Sequence, residues 1–104
     1  MSVAIVFDQL KNNFNAAAAG GLDLVFLFDI EDDKPYHLII KDGNCTLVEG
    51  SNDEPSVTLI MNSETLKGIV SGETDGMQAF MSGQLRAEGD IMLATRLGQL
   101  FSIG

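Results

Sequence analysis

The side chains in this chain that could do chemistry are few. His37 is the sole histidine and Cys45 the sole cysteine, so a nucleophilic Cys/His or Ser/His/Asp centre would have to use His37. The hairpin signal Asp42-Gly43 sets their relationship: folding the chain about that pair puts His37 opposite Val48 and Glu49, not opposite Cys45. Both therefore read as ordinary strand residues, and a small hydrolase survives only if His37 lies in a cleft beside a nucleophile. Asp29, Glu31 and Asp33 have the spacing of the first three ligands of a calcium loop. Lys34 stands where the turn glycine belongs and Ile40 where the bidentate glutamate belongs, so a solvated acidic turn accounts for them better. Gly20, Gly21, Gly72, Gly76, Gly83 and Gly89 punctuate the chain without forming a phosphate loop. No catalytic residue, metal site or cofactor is expected.

The remaining resource is apolar surface, concentrated in the last quarter. Met77, Phe80 and Met81 stripe one helical turn that Gly83 closes. Leu85, Ala87 and Gly89 then alternate with Gln84, Arg86 and Glu88 as on a half-buried strand. Asp90 caps a further helix in which Leu93, Ala94, Leu97, Leu100 and Phe101 share a face, with Arg96 and Gln99 off it. Four of the five methionines follow residue 60, and thioethers repack readily around irregular shapes. On spacing alone, a methionine-rich filled core accounts for these stripes.

Upstream, Ser2 caps a helix with Val3, Val6, Phe7, Leu10, Phe14, Ala17 and Ala18 on one face, ended by Gly20 and Gly21. Leu22 to Ile30 reads as a strand whose centre is apolar on both sides. After an acidic turn come strands Tyr36 to Lys41 and Asn44 to Glu49, a third turn over Gly50 to Pro55, and the strand Ser56 to Met61. Asn62 or Ser63 caps a short helix carrying Leu66, Ile69 and Val70, closed by Gly72. The order is helix, four strands, two short helices, a fifth strand and a final helix. It specifies an α+β fold: a five-stranded, largely antiparallel sheet with helices packed on one face, enclosing an apolar cavity or a filled core.

Composition bounds the function. A chain of 104 residues with 45% apolar content is expected to make one globular domain, 1–104. A net charge of −9 with six scattered Lys and Arg argues against nucleic acid, and limits membrane contact to brief encounters through exposed apolar groups. No apolar run approaches the roughly 20 residues of a membrane span. The lone cysteine and the lack of a leader pattern point to a reducing, cytoplasmic setting.

The run VFLFDI (Val25 to Ile30), the hairpin IKDGNC (Ile40 to Cys45), PSVTLIM (Pro55 to Met61), AFMSGQLRAEGD (Ala79 to Asp90) and LGQLF (Leu97 to Phe101) together resemble the sterol carrier protein type-2 family of small lipid carriers, in the same order over nearly the whole chain. The resemblance implies an apolar cavity between sheet and helices holding a fatty acid, fatty acyl-CoA, isoprenoid or sterol-like lipid. It turns the preference from a filled core to a cavity. The lining it suggests is Phe26, Phe28, Leu59, Met61, Met77, Phe80, Met81, Leu93, Leu97, Leu100 and Phe101, with Ile103 at one mouth. Arg86 and Arg96 are the candidate partners for a charged lipid head, although both fall on the polar side of their elements. The chain ends Ser102-Ile103-Gly104, unlike the peroxisomal address of eukaryotic members, so their compartment is not carried over. An acyl or isoprenoid lipid is expected rather than cholesterol. The competing expectation is an accessory module that docks on an enzyme of lipid or isoprenoid metabolism, with the cavity filled by its own side chains.

Overall fold

The computed structural model describes residues 2–101. Side-chain caps start each of the first four helices. Ser2 Oγ accepts from Ile5 N at 3.3 Å to open α1 (Val3–Asn12), and Asn62 Oδ1 accepts from Thr65 N at 2.8 Å to open α2 (Ser63–Ser71). Asp75 does the same for α3 (Gly76–Met81) through Met77 N at 2.9 Å, and Asp90 for α4 (Ile91–Ala94) through Met92 N at 3.2 Å. A fifth helix, α5, covers Leu97–Phe101.

The strands β1 (Asp23–Ile30), β2 (Tyr36–Lys41), β3 (Asn44–Glu49), β4 (Val57–Met61) and β5 (Arg86–Gly89) form one sheet in the order β3-β2-β1-β4-β5. Every neighbouring pair is antiparallel except β1 and β4, which run parallel. The Asp42-Gly43 turn makes the β2–β3 hairpin with both central residues at positive φ, 54° and 74°, as a two-residue turn matched to strand twist requires.

The turn expected over residues 50–55 is instead a crossover. It leaves the edge strand β3, passes β2 and β1, and delivers β4 to the far side of β1. Burial explains why β4 sits inside the sheet: Val57, Leu59 and Met61 are buried on one face while Thr58 and Ile60 are half-buried on the other. An edge position would leave that apolar strand half unpaired. The crossover is tied down by Gly50 N donating to the Pro35 carbonyl (2.8 Å), Ser56 N to the Val25 carbonyl (2.9 Å) and Val25 N to Ser56 Oγ (3.0 Å).

Register assigns the two faces. Phe26, Phe28, Leu38, Ile40, Val57 and Leu59 are buried and share the inner face. Helix α1 covers the β1–β2 half of it, with the Phe7 ring 5.1 Å from Phe28 and 4.6 Å from Tyr36.

Two helices are shorter than their stripes suggest. The first stops at Asn12, because Asn15 caps a separate 3-10 turn (Ala16–Ala19) through Ala17 N while its own N–H binds the Leu100 carbonyl. Ala19 is thereby the alanine that is buried, and Ala17 and Ala18 face water. The last expected helix is broken into α4 and α5 at Thr95, whose hydroxyl donates to the Met92 carbonyl at 2.7 Å. Across the layers, Asp32 accepts from both Ser63 N and Ser63 Oγ at 2.7 Å, fastening the β1–β2 turn to the start of α2.

Phe7→Ala should cost about 3–5 kcal/mol in urea unfolding, because the ring is fully buried between α1 and the sheet. Ile5→Ala on the same helix, at a position 49% exposed, should cost under about 1 kcal/mol. The Ser63 hydrogen bonds hold the Asp32 carboxyl below its ordinary value of 3.8. The stability it contributes is therefore present above the unfolded-state value and lost as pH falls through the depressed one. Asp32→Asn should lower the urea midpoint at neutral pH, with the gap to the parent closing on acidification; a gap constant with pH would assign the effect to something other than the charge.

Candidate functional site

The half of the inner face that α1 does not cover lies beneath five short pieces of chain, and they do not fill the space. A cleft of about 580 Å³ opens there, within the range of small-molecule sites. Phe28, Leu59, Met61 and Ala87 form its floor; Leu66, Ile69 and Val70 of α2 form one wall; Ile91, Ala94 and Leu97 form the other. Leu10 and Leu85, both buried, complete the apolar lining. The mouth is made by Met77, Gln78 and Phe80 of α3 with the loop 72–76, which brings Glu73, Thr74 and Asp75 to the rim. The cleft is open to solvent rather than sealed.

Backbone geometry fixes that rim. Thr74 N donates to the Gly68 carbonyl at 3.0 Å, folding the loop onto α2. The approach is tight at Gly68, since a Cβ there would overlap Thr74 Oγ1 and lie 3.1 Å from Thr74 Cβ, so a larger residue would displace the threonine or the loop.

Of the side chains expected to face an apolar ligand, Phe28, Leu59, Met61, Met77, Phe80 and Leu97 border the cleft. Phe26, Leu100 and Phe101 are instead locked in the packed core, Phe101 with its ring 5.7 Å from that of Phe14. Leu93 is half-buried against that core and does not reach the cleft. The stripe Met77, Phe80, Met81 does not point inward as a unit. The buried residue of α3 is Ala79, leaving Met77 and Phe80 56% and 41% exposed at the mouth and Met81 79% exposed beyond it. Ile103 lies outside the described residues. The wall residues Ile69 and Val70 are in the expected α2 stripe, but nothing in their spacing tells a cleft wall from ordinary core.

The reactive side chains do not assemble. His37 pairs across the hairpin with Val48, and Cys45 with Ile40, so the two point to opposite faces of the sheet. His37 Nδ1 lies 2.9 Å from the Gly50 carbonyl and pins the crossover. Burial pushes the Cys45 thiol up to about 11 against the opposing charge of Lys11, away from nucleophilic character. In the acidic turn, Asp32 holds Ser63 and Glu31 holds Arg86 at 3.3 Å. Among the described residues no buried side-chain polar atom lacks a partner, so the interior presents no unanswered polar group to a ligand.

The model of the SCP-2 sterol transfer family matches residues 7–102. The chain belongs to that family. Among relatives, it is 28% identical over 102 residues to the peroxisomal multifunctional enzyme A of Dictyostelium discoideum, a match covering 91% of this chain and 23% of that enzyme. This chain thus spans less than a quarter of that relative's length. Among solved structures, it superposes on the sec-alkylsulfatase Pisa1 of Pseudomonas sp. with a TM-score of 0.86 at 24% identity, covering 97% of this chain and 16% of that one. It superposes on the sterol carrier protein 2 of Aedes aegypti, solved with palmitate, with a TM-score of 0.74 at 20% identity over the whole of both chains. These superpositions agree with the five-stranded sheet and helical layer described above.

Gly68→Ala should release the rim loop: amide hydrogen exchange at Thr74 is expected to accelerate by about tenfold or more. Gly76→Ala, where a Cβ meets open space, should leave it unchanged. Equal protection in both variants would show that the loop is not held by its approach to α2.

Proposed function

We propose that this chain is a non-catalytic carrier that shelters one apolar lipid of the acyl or isoprenoid kind in the cleft between β1, β4 and β5 and the helices α2 to α5. The observation that carries the reading is the cleft itself, an apolar space of about 580 Å³ in a member of a sterol-transfer family. Each methylene taken out of water contributes about 0.8 kcal/mol, so roughly a dozen give about 10 kcal/mol before ordering costs, enough for micromolar binding without a specific polar contact. Selection would then rest on length, width and whatever polar groups meet the lipid's head. Met77 and Phe80 at the mouth can yield to an entering chain, because they hold no packed position that must be broken. Exposed Met81, Ile91 and Met92 continue the apolar surface outward, suited to brief contact with a bilayer or a protein donor. The lone, half-buried thiol agrees with a reducing, cytoplasmic setting.

A second reading, docking on an enzyme of lipid or isoprenoid metabolism, is favoured by one observation: the Dictyostelium relative is a multifunctional enzyme in which the matched region is a small part. The two readings differ in whether the cleft takes up lipid.

Leu97→Asp puts a carboxylate into the apolar wall and should weaken binding of a fluorescent long-chain lipid by more than about tenfold, or 1.4 kcal/mol. Gln99→Asp, on the exposed side of the same helix, should bind as the parent does. A folded Leu97→Asp protein with parental affinity would exclude this cleft as the site.

A further inference from the structure

The polar side chains that line the cleft are Glu73, Thr74, Asp75, Gln78 and Thr95, and the charged ones among them are both carboxylates. Glu73 and Asp75 bring two carboxylates to the rim within three residues. That of Asp75 is held in place by the Met77 amide at 2.9 Å. Thr95 also lines the cleft, and its hydroxyl proton is committed to the Met92 carbonyl, so towards the cleft it offers lone pairs.

None of the six Lys and Arg lines the cleft. Lys34 is paired with Glu49 at 3.0 Å and Arg86 with Glu31 at 3.3 Å. Lys67 acts on Asp32 and Lys11 lies near Cys45. Lys41 is exposed at the end of β2, on the sheet face opposite the helices. Arg96 is exposed and does not line the cleft, although Thr95 and Leu97 on either side of it do. Among the described residues, Glu73 and Asp75 are thus the charged side chains of the cleft, and its mouth is negatively charged.

Resting on the carrier reading, we infer that the cleft selects lipids whose polar end donates hydrogen bonds and carries no negative charge, such as long-chain alcohols or amines, and disfavours carboxylates and phosphates. A hydroxyl or ammonium at the end of a chain seated between Leu59, Met61 and Leu97 meets acceptors it can satisfy. A carboxylate in the same place can be met by the Gln78 amide or the Thr74 hydroxyl, but it enters against two like charges beside a low-dielectric wall. The rim therefore sorts by head group while the apolar interior stays indifferent to it.

The test compares dodecanol, dodecylamine and dodecanoate, equal in chain length, by calorimetric titration into the full chain at near-neutral pH and low salt. Dodecanol and dodecylamine are expected to bind at least about tenfold more tightly than dodecanoate. The Glu73→Gln, Asp75→Asn double variant, in which asparagine preserves the cap of α3, should narrow that gap to about twofold. Because the ratio is compared between proteins, differences among the free ligands in water cancel. Arg96→Gln should leave all three affinities unchanged. Dodecanoate binding as tightly as dodecanol, a gap that survives the double variant, or selective loss of dodecanoate in Arg96→Gln would each overturn the inference while leaving the carrier reading intact. Failure of all three ligands to bind the folded protein would overturn the carrier reading, and this inference with it.

Discussion

The structure depends on how the inner face of one sheet is covered. That face carries large side chains from all the central strands, and water must be kept from it. On the β1–β2 half the problem is solved by α1, long enough to lay Val3, Val6, Phe7 and Leu10 across it. On the β4–β5 half the chain has only α2 and three helices of four to six residues, interrupted by Thr95 and by the loop 72–76. Pieces that short cannot interdigitate over the whole surface, because each presents about one turn of side chains. The cleft is the consequence: one half of the sheet is sealed by a helix and the other is roofed by fragments that leave room.

That asymmetry explains why some features were readable from residues and others were not. The caps at Ser2, Asn62 and Asp90, the Asp42-Gly43 hairpin and the alternation of β4 and β5 are local signals, and each appears where local chemistry puts it. The parallel pairing of β4 with β1 is not local. A seven-residue connection between alternating strands looks the same whether it turns back or crosses over, and only the burial demanded by Val57, Leu59 and Met61 decides it. The lining of the cleft was half legible for a similar reason. Phe26 and Phe28 are two residues apart on one strand face, yet one is beneath packed core and the other is cleft floor. The α3 stripe misleads because Ala79, the least conspicuous apolar residue of that helix, is the one turned inward.

A cleft roofed by short pieces suits a carrier physically. Helices of four to six residues have little stability of their own, so the roof can shift to admit a chain at small cost, while the sheet beneath keeps its shape. The methionines at the mouth are apt for this, since thioethers adapt to irregular partners without strain. The Aedes aegypti protein that shares the fold was solved with a fatty acid, whereas the rim here is acidic and lacks a cation. On the carrier reading proposed above, the cleft would hold the lipid's chain and Glu73 and Asp75 would bear on its head group.

Native mass spectrometry of the freshly purified protein, followed by organic extraction, tests the central claim most directly. The account predicts an adduct of a single lipid molecule that leaves on denaturation, or, if the protein is purified empty, stoichiometric uptake of an added long-chain lipid. A folded protein that carries no lipid and acquires none would contradict it, and would mean that the space between the sheet and its short helices serves no ligand.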